Sequence, residues 1–162
     1  MVGVGEETLF RGILLRRFRS DVGRVGGVVL STAIYALVHA LRTRGDGDLH
    51  GPWGGVLRTA GLFAPLADPH VWPSVAGLAG LGILLAAARL GTASLWTAIG
   101  IHSAWVAVFR VGRLFVHIKP KPVWVVGPGW PPLIGGAAGA VALAVSGSLL
   151  WRMLRRGSRR SP

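Results

Sequence analysis

The sequence predicts an all-α, polytopic membrane helix bundle, and two observations carry that prediction. Charged residues make up 15% of the 162 positions, against roughly 25% in an average soluble domain, while hydrophobic residues reach 51% and the mean hydropathy is +0.54. The charges also gather at the ends of apolar runs long enough to cross a hydrocarbon core of about 30 Å. Length suggests a single domain: residues 1–151 read as one membrane-embedded unit and 152–162 as a basic cytoplasmic tail. The chain has no cysteine, which excludes a disulfide framework and any thiolate ligand or nucleophile. A net charge of +12 does not point to nucleic acid, because the arginines flank apolar runs instead of sharing a soluble face with base-reading side chains. They read as topology signals and as contacts to membrane phospholipids.

The first element opens on Gly5-Glu6-Glu7-Thr8-Leu9-Phe10-Arg11-Gly12. On a helix Glu7 and Arg11 stand four apart and can pair, while Glu6 points about 100° away. In a soluble protein two acids here would simply complement a helix dipole; in a membrane protein they are out of place. The pattern supports a helix over residues 4–19, roughly 24 Å long and short of a full span. No basic region and cleavage site precede it, so it is not a signal peptide. It is expected to be a truncated motif helix whose upstream membrane neighbours are missing.

Four complete spans are expected to follow. The first covers 25–41 and carries Ser31, Thr32, Tyr35 and His39. Residues 42–72 are turn-rich, with a short amphipathic helix expected near 54–63; Asp46, Asp48 and His50 on this glycine-rich stretch suit a solvated turn better than a metal loop. The second span, 73–89, is rich in Gly, Ala and Leu, which allows close helix approach. The third, 92–109, has His102 near its centre. Residues 119–132 hold five of the ten prolines and are expected to form a rigid interfacial connection without helix. The last span is 133–151, followed by Arg152, Arg155, Arg156, Arg159 and Arg160. With the tail inside, Arg16, Arg17, Arg19, Arg24, Arg89 and the five tail arginines are cytoplasmic, ten against seven basic residues outside. The positive-inside rule therefore predicts a cytoplasmic C-terminus.

Depth brings the unusual residues together. Counted from the presumed inner ends, Glu6 lies roughly 15 to 20 Å up its helix, His39 about 21 Å and His102 about 15 Å. Individually each histidine has a plain alternative, one snorkelling to the interface and one bonded to a backbone carbonyl. A carboxylate and two imidazoles at one level of a low-dielectric interior are instead suited to taking a proton from water, or to holding a metal that does so.

The set Glu6-Glu7-x-x-x-Arg11, Tyr35-x-x-x-His39 and then His102 on a later helix resembles the CAAX protease and bacteriocin-processing family of intramembrane endopeptidases, over about residues 5–110. The resemblance implies that Glu6 activates water, that Glu7 and Arg11 are its structural neighbours, and that His39 and His102 position the water or stabilise the oxyanion. It leaves two cofactor alternatives open: a divalent metal such as zinc on Glu6, His39 and His102, or a metal-free glutamate mechanism. The implied substrate is a membrane-associated protein or peptide, and the implied location a bacterial inner membrane. Two departures stand out. Tyr35 occupies a position where phenylalanine is usual, and Val106 occupies the one where the family has an asparagine or aspartate; the chain contains no asparagine. Trp105 or Ser103 is expected to supply the missing donor. Other classes compatible with the residues are a non-catalytic scaffold or bacteriocin-immunity protein of the same fold, a proton- or metal-handling transporter, and a bis-histidine haem protein, the last leaving the Glu-Glu-Arg cluster unexplained.

Overall fold

The computed structural model describes residues 2–41, 61–115, 122–128 and 133–158, and among these every regular element is helical. Helix α1 (Val2–Glu7) runs directly into a widened π-helical segment (Thr8–Leu14) and on into α2 (Leu15–Ala40). Two 3₁₀ turns, Ala64–Ala67 and Pro69–Val71, lead to α3 (Trp72–Thr92). Helices α4 (Leu95–Phe115), α5 (Val123–Val126) and α6 (Ala137–Ser158) complete the described chain. Among the described residues three helical stretches are long and apolar enough to cross a membrane, Gly3–Ala40, Pro69–Thr92 and Ala137–Gly157, and Leu95–Val111 is apolar but shorter.

Gly23 organises the N-terminal third. It lies within α2 at φ 80° and ψ 178°, a backbone region essentially restricted to glycine. The chain reverses there. A Cβ on Gly27 would stand 2.8 Å from the backbone nitrogen of Arg19, the rings of Phe10 and Tyr35 meet at 5.2 Å, and Glu6 reaches His39 at 3.4 Å. Each pair is nearly equidistant from Gly23, so residues 2–22 and 24–40 are the antiparallel arms of a helical hairpin. The long stretch Gly3–Ala40 thus holds both the motif helix and the expected first span. The motif helix runs past the expected end at residue 19, because Ser20 Oγ bonds the Arg17 carbonyl at 2.6 Å and Arg17 pairs with Asp21 at 3.1 Å. The arginine run does not break the helix; glycine does.

Helix α3 is the centre of the bundle. Leu78, Leu81, Leu85 and Ala88 bury one side against Tyr35 and Ala36 of the hairpin. Small residues serve its other side: a Cβ on Gly80 would come within 2.9 Å of Leu143 and one on Gly91 within 2.7 Å of Leu154, the close approach that glycine permits between membrane helices. Ala93, at φ 55°, ends α3. Thr92 Oγ1 bonds the Ala88 carbonyl at 2.8 Å and accepts the Ser94 N–H at 3.3 Å, closing the turn that returns the chain as α4. That turn moves the start of the third span from the expected residue 92 to 95.

The proline-rich connection was expected to lack helix, yet Val123–Val126 forms one helical turn after Pro122 and stops at Gly127, φ 83°. Proline restricts the interior of a helix and not the position just before it. Residues 42–60, with Asp46, Asp48, His50 and most of the short helix expected near 54–63, lie outside the described residues.

Candidate active site

Glu6 and Glu7 close the last turn of α1, and adjacent helical residues diverge by about 100°. Glu7 is consequently 0% exposed, whereas the Glu6 side chain keeps 26% of its surface. The turn that follows is over-wide: the Leu15 N–H bonds the Phe10 carbonyl, five residues back. Such π segments recur at functional sites because they re-aim side chains without ending the helix. Here both Phe10 and Arg11 face inward, at 4% and 3% exposure.

Glu7 is held from two directions. Arg11 Nη1 donates to its Oε1 at 3.2 Å, and His102 Nδ1 lies 2.8 Å from the same oxygen. Arg11 Nη2 continues to the Gly82 carbonyl at 3.3 Å, and the guanidinium stands 4.3 Å from the centroid of the Tyr35 ring. The guanidinium thereby ties the motif helix to α3 and to the second hairpin arm, using its fork of donors and its flat face together.

These bonds assign the imidazole tautomers. A carboxylate only accepts, so His102 carries its proton on Nδ1. His39 Nδ1 lies 2.8 Å from the Tyr35 carbonyl, another obligate acceptor, and is likewise the protonated nitrogen. Both Nε2 lone pairs then face Glu6 Oε2, at 3.4 Å for His39 and 3.5 Å for His102. Those separations exceed an ordinary N–H···O bond, and Glu6 Oε2 is buried without a hydrogen-bond partner among the described residues. Three acceptors around one spot are complementary to a donor such as water. Tyr35 forms the wall beside them, its ring centroid 4.2 Å from that of His39 and 6.1 Å from that of His102.

Glu6, His39, His102, Glu7, Arg11 and Tyr35 therefore lie together, drawn from three helices. Trp105 does not join them in the expected way. Its Nε1 donates to Ser146 Oγ at 3.1 Å and its ring packs edge-on against Phe109; an indole has one donor, and this one is committed to α6. Ser103 is exposed beside Gly3, and Val106, half-buried, offers no polar atom. Among the described residues no group of three or more His, Cys, Asp or Glu side chains is found arranged to hold a metal ion. Glu7, the remaining carboxylate nearby, commits its Oε1 to Arg11 and His102, while its Oε2 is buried without a hydrogen-bond partner among the described residues.

Sequence reasoning assigned Glu7 to Arg11 alone and missed its bond to His102. The signal available was the doubled acid, since two adjacent carboxylates on diverging faces can address both nitrogens of one ring. Gly82 was missed as well. Its carbonyl anchors Arg11, and a Cβ there would stand 2.9 Å from Thr32 Cγ2 and 3.3 Å from the Tyr35 ring. No local pattern marks such a glycine.

Comparison with curated proteins and with solved structures returns no match. The family model described as type II CAAX prenyl endopeptidase Rce1-like matches residues 1–108, a stretch that includes every residue of the cluster around Glu6. With two thirds of its length so matched and its helices of membrane-spanning character, the chain belongs to the Rce1-like family of type II CAAX prenyl endopeptidases.

Proposed function

We propose that the protein is an intramembrane endopeptidase that hydrolyses a peptide bond of a membrane-associated protein or peptide, using water activated by Glu6 and the two histidines. The observation that carries this reading is the convergence of Glu6 Oε2 with the Nε2 atoms of His39 and His102 at 3.4 and 3.5 Å. Water within reach of all three loses a proton to Glu6 as its oxygen adds to the scissile carbonyl carbon, and the carbonyl π electrons move to oxygen. Collapse of the tetrahedral intermediate breaks the C–N bond, and the departing amine takes the proton back. Glu7 holds His102 in its Nδ1–H form and stabilises the imidazolium that results when Nε2 takes a proton. A protonated Nε2 of either histidine is the donor best placed for the oxyanion, because Val106 supplies none.

The family description points to the C-terminal processing of prenylated proteins as the first substrate class to examine. The same reading puts the chain in a bacterial inner membrane with its C-terminus on the cytoplasmic side, the orientation that the ten-to-seven placement of basic residues favours. The test is cleavage of a prenylated C-terminal peptide in vesicles by the parent, Glu6→Gln and Glu6→Ala. Loss of cleavage in both variants with unchanged membrane insertion is expected, and a Glu6→Ala protein as active as its parent overturns the reading. Val106 favours one rival, a non-catalytic member of the same fold, which requires the parent to be no faster than Glu6→Ala on any peptide tried.

A further inference from the structure

Away from Glu6, at the end of the bundle where the hairpin turns, four arginines meet in one pocket. Arg11, Arg16, Arg19 and Arg89 line a cavity of about 280 Å³ together with Leu15, Leu90 and Ala93. Arg11 is braced by Glu7, but Arg16, Arg19 and Arg89 have no ion-pair or hydrogen-bond partner among the described residues. Among the described residues no acidic side chain lines the cavity. Uncompensated like charges repel one another, so such a pocket is complementary to a compact anion able to accept from several guanidiniums.

A second feature says what the anion is attached to. An apolar groove of about 570 Å³ runs between the second hairpin arm, α3 and α6, lined by Val28, Ile83, Ala87, Leu143 and Leu150 among others, and Leu90 belongs to both cavities. Trp151 lines the groove and is 57% exposed, with the Arg155 guanidinium 4.5 Å from its ring centroid. Exposed tryptophan beside arginine is the signature of the membrane interface, which sets this end at headgroup depth. Basic pockets between membrane helices on the cytoplasmic side are the places where anionic headgroups bind.

We infer that this junction binds one anionic phospholipid, its phosphate among Arg16, Arg19 and Arg89 and an acyl chain in the adjoining groove. The inference is independent of the chemistry proposed for Glu6. It also connects the lipid to that site, since Arg11 lines the pocket and holds Glu7.

Retention of lipid by the purified full chain, followed by native mass spectrometry alongside thermal unfolding, tests it with phosphatidylglycerol, phosphatidylcholine, glycerol phosphate and inorganic phosphate as probes. The parent retains phosphatidylglycerol at least tenfold more strongly than phosphatidylcholine. Replacing Arg16, Arg19 and Arg89 with glutamine removes that preference, while the same replacement at Arg17, Arg152 and Arg156, outside the pocket, preserves it. A second variant keeps every charge: Ala87→Trp fills the groove and lowers phosphatidylglycerol retention to the level of glycerol phosphate. An unchanged preference after the pocket replacements, or an equal loss after the control replacements, overturns the site. Inorganic phosphate that binds as well as phosphatidylglycerol overturns the lipid and leaves a free anion as the occupant.

Discussion

Glu7 Oε1 stands 2.8 Å from His102 Nδ1, a bond between residues 95 positions apart that fixes which imidazole nitrogen faces Glu6. The neighbouring carboxylate, Glu6, approaches the other nitrogen of the same ring at 3.5 Å. Two consecutive acids thus flank one histidine, the buried one bonded to Nδ1 and the more exposed one facing Nε2 across 3.5 Å.

Glu7→Gln retains size and one acceptor but removes the charge that favours imidazolium. With Glu6 as base and His102 as its partner, turnover is expected to fall about 10² to 10⁴-fold, with KM changed far less, by analogy with loss of an orienting carboxylate from a catalytic triad. Steady-state kinetics on the prenylated peptide decide the matter, and a variant that loses affinity while keeping its turnover contradicts the positioning role.

Arg11→Ala leaves Glu7 buried and without its cation. Breaking one side of a buried ion pair costs about 3–5 kcal/mol, and here the Gly82 and Tyr35 contacts are lost as well. Arg11→Lys should restore only part of this, because an ammonium has neither the fork nor the flat face. Thermal unfolding in detergent should order the three proteins parent, Lys, Ala; a lysine variant equal to the parent would show that charge alone suffices.

Gly23→Ala places a side chain where φ is 80° and ψ 178°. Nothing crowds the position, so the penalty is conformational, about 1–3 kcal/mol. Because the arms carry Glu6 and His39 on opposite sides of this turn, activity should drop along with the unfolding temperature. An alanine variant as stable as the parent would mean that the reversal does not need glycine.

Val106→Asn adds an amide donor one helical turn beyond His102. An oxyanion donor is worth about 10² to 10³ in rate, so the substitution should raise turnover by at least tenfold if the tetrahedral intermediate forms beside α4. No increase would place the oxyanion elsewhere, on His39 for preference.

With Glu6 acting as the base without a metal, treatment with a strong chelator should leave cleavage intact. Activity lost to the chelator and restored by zinc would show that an ion is held there after all.

The sequence by itself determined the helical membrane class, because few charges and long apolar runs leave a lipid-embedded chain no other way to satisfy its backbone. It also determined the membership of the Glu6, His39 and His102 cluster, because 1.5 Å of rise per residue turns position along a span into depth. Tertiary structure decided the rest. The reversal at Gly23 depends on one backbone angle pair that no hydropathy pattern encodes, and it makes a single hairpin of what reads as a fragment and a separate span. The commitment of the Trp105 donor to Ser146 and the bond between Glu7 and His102 depend on which helix faces which. Periodicity gives each helix a polar face but not its neighbour; packing around α3 assigns the neighbours, and with them the direction in which every buried donor points.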